Sequence, residues 1–121
     1  MLSLVQLLLA DPEVTIEVIK EGTGENYPQK GQKVTVHYVG QLLNGKVFDS
    51  SRDRNQPFSF TLGTGMVIRG WDIAVAKMKL GEIAKVTIPY QLAYGTRGVP
   101  PTIPGSSDLI FEIELLDFAD K

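Results

Sequence analysis

The chain has 121 residues, enough for one domain with its own core, and it contains no cysteine, which excludes a disulfide scaffold and a thiolate metal site. Its formal net charge is −2, and no long basic run supplies the positive footprint that nucleic-acid binding requires.

The first segment, "MLSLVQLLLA", is strongly apolar. The run Leu2–Leu9 is too short to span a bilayer. It resembles the core of a signal peptide, but no basic residue precedes it, since the first one is Lys20. We expect residues 1–13 to form a packed arm or an extra strand, and the main domain to occupy residues 14–121 after the break at Asp11-Pro12. We expect the protein to be cytoplasmic, with secretion as the alternative if residues 1–10 act as a signal segment.

Three alternating segments predict the first strands. The run Val14–Lys20 predicts a half-buried strand whose inner face carries Val14, Ile16 and Val18. After a polar loop, Lys33–Val39 alternates in the same way, with Val34, Val36 and Tyr38 facing inward. Asn44-Gly45 then separates "HYVGQLL" from "KVFDSS". Because Asn-Gly supplies the positive φ angles of a tight turn, these two runs are expected to pair as a hairpin.

A helix is predicted in the middle of the chain. The charged loop Ser50–Pro57 leads into a strand, Phe58–Leu62, with Phe58, Phe60 and Leu62 on one side. The following stretch, Gly65–Glu82, has apolar residues at helical spacing, which predicts a helix of about three turns with a stripe formed by Ile68, Trp71, Val75 and Met78. We expect its end to be marked by Lys77, Lys79 and Gly81.

Two further strands complete the prediction. Ile83–Ile88, ended by Pro89, turns Ala84, Val86 and Ile88 inward, and Leu109–Phe118 does the same with Leu109, Phe111, Ile113 and Leu115. Between them, Tyr90–Asp108 is a Gly- and Pro-rich loop of a length that is usually functional or disordered. The fold class is therefore α+β: a curved antiparallel sheet of about five strands wrapped around one short α-helix, with Trp71 between them.

Most catalytic chemistry lacks support in this sequence. The one histidine, His37, alternates with inward residues and is expected to face solvent or an edge, so a nucleophilic triad has little basis. No HExxH motif, P-loop or EF-hand occurs. Gly63–Gly65 resembles the beginning of a dinucleotide fingerprint, but the third glycine and the βαβ pattern are missing. We predict neither a metal nor a cofactor.

Aromatic residues near loops are the remaining signal. They converge if the sheet wraps the helix, and they are Tyr38, Phe48, Phe58, Trp71, Tyr94 and Phe111. Few polar groups accompany them, chiefly Asp49 and Arg54. A mostly apolar concavity with a few polar groups is typical of a small-ligand site.

Several of these residues also have a purely structural interpretation. Trp71 and Phe111 fit a hydrophobic core equally well. Asp49 before two serines is typical of a turn, and residues 52–54 are typical of a solvated charged loop. Tyr94, which lies in a Gly-flanked loop, has the weakest structural explanation and is therefore the strongest functional candidate.

Five motifs in order resemble one family. They are "VHYVG" (Val36–Gly40), "GKVFDSSRDRNQPFSF" (Gly45–Phe60), "VIRGWD" (Val67–Asp72), "AYG" (Ala93–Gly95) and "LIFEIELL" (Leu109–Leu116). Together they are similar to the FKBP-type peptidyl-prolyl cis–trans isomerases, the tacrolimus-binding immunophilins. The resemblance covers about residues 14–118 without large gaps.

The resemblance implies the same sheet-and-helix fold, isomerase activity and a site. By motif match, the residues implied for catalysis are Tyr38, Phe48, Asp49, Tyr94 and Phe111, and those implied for ligand binding are Arg54, Phe58, Met66, Val67, Ile68, Trp71 and Ile103. In the family the tryptophan forms the pocket floor and aromatic rings form the walls. The N–H at the Ile68 position and the hydroxyl at the Tyr94 position bind ligand carbonyls.

The implied partners are X-Pro peptides and proteins, the macrolides tacrolimus and rapamycin, and a drug-dependent phosphatase or kinase; we expect a monomer that binds no nucleic acid. Three positions depart from the family pattern. Met66 replaces an acidic residue whose backbone carbonyl binds macrolides in the family, so we expect this change to matter little. Val99 and Thr102 replace a histidine and an isoleucine, which leaves specificity and drug-dependent partners open. A non-catalytic module that binds proline-containing partners is the alternative function, followed by an adaptor that docks through its N-terminal arm.

Overall fold

Six strands and one α-helix follow one another in residues 13–119, the part of the chain that the computed structural model describes. They are β1 (Thr15–Lys20), β2 (Lys33–Leu42), β3 (Val47–Ser50), β4 (Phe58–Thr61), α1 (Arg69–Val75), β5 (Ile83–Ile88) and β6 (Leu109–Ala119), with a short 3₁₀ helix, Tyr90–Leu92, before β6. The expected N-terminal arm, residues 1–13, lies outside this part apart from Glu13. None of the described helices is long and apolar enough to cross a membrane.

The strands form one antiparallel sheet in the order β1-β5-β6-β2-β3, and β4 also pairs with β2. Val36 in the first half of β2 lies opposite Phe58 of β4, and Gly40 in its second half lies opposite Asp49 of β3. Thus β3 and β4 share one edge of β2 and are separated by the loop at residues 51–57. The predicted α+β class is confirmed, but the sheet has six strands rather than about five.

The core lies between the inner face of the sheet and α1. The alternation predicted for β2, β5 and β6 is confirmed, since Val36, Val86 and Ile113 are all fully buried in one cluster with Trp71 of α1. A Cβ atom built on Gly70 would lie 2.5 Å from Cγ2 of Ile88, so the glycine allows the helix to approach β5 closely. This close approach places the indole of Trp71 directly over the sheet.

The helix is shorter than the apolar stripe predicted. It has seven residues and ends at Val75, because the backbone N–H groups of Lys77 and Met78 bond to carbonyls three residues back rather than four. Met78 is nevertheless fully buried, so the stripe follows the core rather than the helix. Lys77 and Lys79 lie beyond the helix, and Gly81, with φ of 81°, marks a turn before β5; their predicted roles at the helix end were wrong.

The predicted inner face of β1 was also wrong in part. Ile16 is half-buried, but Val18 is 50% exposed. Among the strands of residues 13–119, β1 lies at the edge of the sheet and pairs only with β5, and its register shifts between Val18 and Lys20. Because the edge strand extends past the core at this end, alternation continues there without burial.

The predicted hairpin joins β2 and β3, but its turn differs from a two-residue Asn-Gly turn. Of the two residues Asn44 and Gly45, only Gly45 has a positive φ angle, at 90°. The N–H of Gly45 donates to the carbonyl of Leu42 at 2.9 Å, and the N–H of Leu42 donates to the carbonyl of Lys46 at 2.9 Å. The register irregularity beside Gln41 accompanies this longer turn, in which Asn44 instead accepts a hydrogen bond from the N–H of Lys46.

Candidate functional site

A cavity of about 260 Å³ opens where the sheet meets the N-terminal end of α1. Strands β2, β3, β4 and β6, the helix and two loops contribute its lining, which consists of Tyr38, Phe48, Asp49, Phe58, Met66, Val67, Ile68, Trp71, Tyr94 and Phe111. The aromatic residues singled out from the sequence therefore converge on one site. The volume lies slightly below the roughly 300–1,000 Å³ typical of small-ligand pockets, which suits a ring and its flanking peptide.

Trp71 is the centre of the aromatic cluster. Its ring makes edge-to-face contacts with Tyr38 at 4.9 Å and Phe111 at 5.3 Å between centroids, and it contacts Phe58 at 6.0 Å. Phe48 continues the wall by packing edge-to-face on Phe111 at 5.7 Å. Each such aromatic pair contributes about 0.5–1.5 kcal/mol beyond its buried area, so the rings hold one another in place.

The indole of Trp71 contributes to the site through the contacts of its flat ring rather than through hydrogen bonding by its N–H group. The residue is 4% exposed, and within residues 13–119 its buried Nε1–H has no hydrogen-bond partner. A buried unpaired donor costs about 1–3 kcal/mol. The two interpretations of Trp71 from the sequence, core and pocket, both hold, because the ring belongs to the buried cluster and also lines the cavity.

Gly40 is a site residue that the sequence analysis did not single out. It lies on β2 opposite Phe111, and a Cβ atom built on it would lie 2.7 Å from Cζ of Phe48 and 2.8 Å from Cε1 of Phe111. The two rings occupy the space that a side chain would take. A glycine inside an otherwise regular alternating strand was the available signal, since it often marks such a close approach.

A hydrogen-bonded network fixes the one carboxylate in the lining. The hydroxyl of Tyr38 donates to Oδ2 of Asp49 at 2.6 Å, and Arg54 donates to Oδ1 of the same carboxylate and to the Tyr38 hydroxyl. The guanidinium also lies 5.9 Å from the centroid of the Tyr38 ring. Asp49 is thus oriented by two side chains, whereas the sequence alone also allowed it to be an ordinary turn residue.

Burial and hydrogen bonding set the charges in the cavity. Burial is the largest effect on Asp49 and opposes ionisation, but the hydrogen bonds from Tyr38 and Arg54 and the charge of Arg54 together lower the pKa of this carboxyl below its ordinary value. Burial, with the nearby charge of Asp49, raises the pKa of Tyr94. Burial likewise raises the pKa of Tyr38, reinforced by its hydrogen bond to Asp49. At neutral pH the lining therefore holds one carboxylate and two neutral hydroxyl groups.

Besides the buried indole N–H of Trp71, the hydroxyl of Tyr94 and the backbone N–H of Ile68 are lining donors without a partner in the described part of the chain. The hydroxyl of Tyr94 takes part in no hydrogen bond there, and the side chain is 40% exposed. Ile68 precedes the first residue of α1, and its carbonyl accepts from the N–H of Trp71 at 3.0 Å while its own N–H has no acceptor there. Both donors can therefore bind carbonyl oxygens of a bound chain.

Asp72 anchors the loop that carries three of the lining residues. Its carboxylate accepts the N–H of Gly63 at 2.8 Å and the N–H of Gly65 at 3.3 Å. The thioether of Met66 in turn accepts the N–H of Thr61 at 3.4 Å. The sequence analysis quoted Asp72 within a motif without giving it a role, because the N–H groups that donate to it lie up to nine residues away and nothing local predicts the loop conformation.

Two residues implied by the family resemblance do not line the cavity. Arg54 reaches it only through Asp49 and Tyr38. Ile103 is buried in the core and pairs with Val99 across the long loop. Among residues 13–119, no three His, Cys, Asp or Glu side chains come together in a group that could hold a metal ion.

Comparison with known proteins decides the family. The FKBP-type peptidyl-prolyl cis-trans isomerase family matches residues 24–116. The chain is 54% identical over 108 residues to FK506-binding protein 1A of Aspergillus fumigatus, which covers 89% of this chain and 96% of that protein. The chain belongs to the FKBP-type peptidyl-prolyl cis–trans isomerases.

Further relatives of this isomerase are similar over nearly the same length. FK506-binding protein 1 of Dictyostelium discoideum is 56% identical over 105 residues, covering 87% of this chain and 97% of that protein. Peptidyl-prolyl cis-trans isomerase Fkbp12 of Drosophila melanogaster is 54% identical over 103 residues, covering 85% and 95%. The resemblance drawn from five motifs is confirmed, and the protein is a peptidyl-prolyl cis–trans isomerase.

Replacing Gly40 with alanine should impair the isomerase in a protein that still folds. The φ angle of Gly40 is not positive, so alanine fits the backbone, but its Cβ displaces the rings of Phe48 and Phe111. Overpacking of this kind costs about 1–3 kcal/mol of unfolding free energy. We expect kcat/KM in a prolyl exchange assay to fall roughly tenfold, the equivalent of about 1.4 kcal/mol.

A matched control is Val39→Ala, on the same strand but on the opposite face of the sheet, where a shortened side chain leaves the cavity unchanged. Denaturant unfolding of both variants separates loss of structure from loss of activity. Equal kcat/KM for Gly40→Ala and Val39→Ala would show that the glycine does not position the rings.

The rate of the isomerase should not depend on pH between about pH 6 and 9, because the carboxyl of Asp49 is ionised and the hydroxyl groups of Tyr38 and Tyr94 are neutral throughout that range.

The lowered pKa of Asp49 has a separate consequence for the pH dependence of stability. Its contribution is fully present above the unfolded-state pKa of about 4 and is lost as the pH falls through the lower folded-state pKa. Profiles of kcat/KM and of unfolding free energy against pH measure the two effects. An inflection of kcat/KM near neutral pH would reveal a proton-transfer group.

Proposed function

We propose that this isomerase binds X-Pro segments of peptides and proteins in the cavity around Trp71 and accelerates rotation about the prolyl bond during protein folding by favouring the twisted amide. The observation that carries the proposal is one ring-lined cavity in which the Tyr94 hydroxyl and the Ile68 N–H are free to donate and no group is poised to transfer a proton at neutral pH. Such a site can act on a reaction in which no bond breaks.

The chemistry of the amide explains why these features suffice. Resonance gives the C–N bond partial double-bond character, and the barrier to its rotation is about 18–20 kcal/mol. A catalyst must stabilise the twisted amide, in which resonance is lost, relative to either planar form. Each 1.36 kcal/mol of such differential stabilisation gives about a tenfold gain in rate, so a few contacts of this size produce a useful enzyme.

Withdrawal of water supports this preference. The planar amide is more polar and better hydrated than the twisted one, so transfer into an apolar cavity raises its energy more. In the proposal the proline ring lies on Trp71 between Phe58 and Phe111, with Val67 and Ile68 at its edge. The ring contacts around Trp71 and the cavity lining support this placement.

Binding of the flanking chain is assigned to the polar edge of the cavity. The N–H of Ile68 and the hydroxyl of Tyr94 donate to substrate carbonyls, and Phe48 and Tyr94 cover the bound segment. Asp49, held by Tyr38 and Arg54, presents a fixed negative charge toward the rotating carbonyl or stabilises the wall. It is no general base in this proposal, because its lowered pKa makes it a weak one.

Macrolide binding is the second part of the proposal. Two relatives that each cover most of this chain are named FK506-binding proteins, and FK506 is tacrolimus. A ligand with a proline-like ring and flanking carbonyls fits the same apolar floor and the same two donors. Rapamycin binding and recruitment of a phosphatase or kinase by a drug complex belong to this part as well. One chain supplies the floor, the walls and the donors of the cavity, so we propose that the protein acts as a monomer, and we propose the cytoplasm as its location.

Removal of the Tyr94 hydroxyl should slow prolyl exchange. We expect Tyr94→Phe to lower kcat/KM on a Leu-Pro or Phe-Pro peptide roughly threefold to tenfold, since a neutral hydrogen bond contributes about 0.5–1.5 kcal/mol. The rate of cis/trans exchange, followed by NMR at micromolar protein, measures the effect.

Tyr90→Phe is the matched control for this experiment, because Tyr90 lies in the same loop but does not line the cavity. Its kcat/KM should stay within about twofold of the original protein. If the unmodified protein gave no acceleration at micromolar concentration, the alternative of a non-catalytic binding module would replace the proposed mechanism.

Tacrolimus should raise the melting temperature of the protein. A ligand that binds only the folded state at 100 times its Kd adds about 2.7 kcal/mol of stability, which corresponds to roughly 10 °C for a domain of this size. Differential scanning fluorimetry measures the shift, with Trp71→Leu as the variant expected to lose it. No shift at saturating drug in a protein that still accelerates prolyl exchange would remove macrolides from the proposal.

A further inference from the structure

Met66 is an exposed thioether in the wall of the substrate cavity. Its side chain is 62% exposed and lines the cavity, whereas Met78 is fully buried in the core. Among the methionines in residues 13–119, therefore, only Met66 is open to a dissolved oxidant. Accessibility controls the oxidation of methionine to its sulfoxide, so the two thioethers should differ greatly in reactivity.

The backbone around Met66 is fixed, which keeps the thioether at the cavity. Asp72 anchors the preceding loop through the N–H groups of Gly63 and Gly65, and Sδ of Met66 accepts the N–H of Thr61 at 3.4 Å. The next two residues line the cavity as well. An altered thioether can leave the wall only by rotation of its own side chain.

We infer that Met66 is an oxidation site through which a peroxide weakens substrate binding to this isomerase. In this reaction a lone pair of Sδ attacks one oxygen of the peroxide and the O–O bond breaks. Sulfur is oxidised by two electrons to the sulfoxide, and hydrogen peroxide is reduced to water. The proton on the oxygen that bonds to sulfur passes to the departing hydroxide. The inference rests on the proposed function of the cavity, because it concerns the binding of substrate there.

The effect follows from the change in polarity. The thioether is an adaptable apolar surface in the same cavity lining as the partly exposed ring of Phe58, whereas a sulfoxide carries a strong dipole whose oxygen requires a hydrogen-bond partner or water. An apolar substrate segment that packs on this wall must displace that water. In the proposed placement the proline ring lies on Trp71 between Phe58 and Phe111 and Met66 is not among the residues that seat it, so the loss should appear mainly in KM and less in kcat.

The test treats the full chain with hydrogen peroxide until peptide mass spectrometry shows that most of Met66 is the sulfoxide while Met78 remains reduced. Exchange of a Leu-Pro peptide is measured before and after treatment. We expect kcat/KM to fall roughly threefold to tenfold, chiefly through KM, and to recover after treatment with methionine sulfoxide reductase and a dithiol reductant.

Two variants serve as controls, and each treated sample is compared with its own untreated sample. Met66→Leu should remove the response to peroxide, whereas Met78→Leu should retain it. Unchanged kcat/KM with Met66 fully oxidised, or an equal loss in Met66→Leu, would overturn this inference alone. Failure of the untreated protein to accelerate exchange would overturn the proposed function together with it.

Discussion

The packing of one indole ring against the sheet determines the rest of the structure. Trp71 lies on a helix of seven residues, too short to be stable by itself, and the contacts of its ring with Tyr38 and Phe111 attach that helix to β2 and β6. The same ring forms part of the cavity. Stability and the substrate site therefore depend on one set of aromatic contacts, and a change that loosens the site also loosens the core.

The geometry of β2 allows this arrangement. Tyr38 and Gly40 are successive inward positions on that strand, so a tyrosine that holds Asp49 is followed by a gap that admits the rings of Phe48 and Phe111. Buried Ser51 fixes the strand at this point, since its hydroxyl accepts the N–H of Tyr38 at 2.7 Å. Polar contacts thus orient the walls of a cavity whose lining is mostly aromatic and aliphatic.

Strand positions were largely predictable because alternation reports burial directly. The inward residues of β2, β5 and β6 follow period two in the sequence and are buried in the structure. The length of α1 was not predictable in this way, because Met78 continues the apolar stripe after the helix has ended. The predicted burial of Val18 was wrong for a related reason. Periodicity indicates that the segment is a strand, but only the order of the strands in the sheet shows that β1 lies at its edge.

By itself, the sequence determined the order of the strands along the chain, the class of the fold and, through its family motifs, the kind of enzyme. The tertiary structure decided which side chains meet: that Gly40 makes room for two rings, and that Ile103 joins the core instead of the cavity. The physical reason is the range of the forces involved. Alternation and turn chemistry act between neighbours in the chain, whereas the cavity is formed by contacts between residues that are far apart in the sequence.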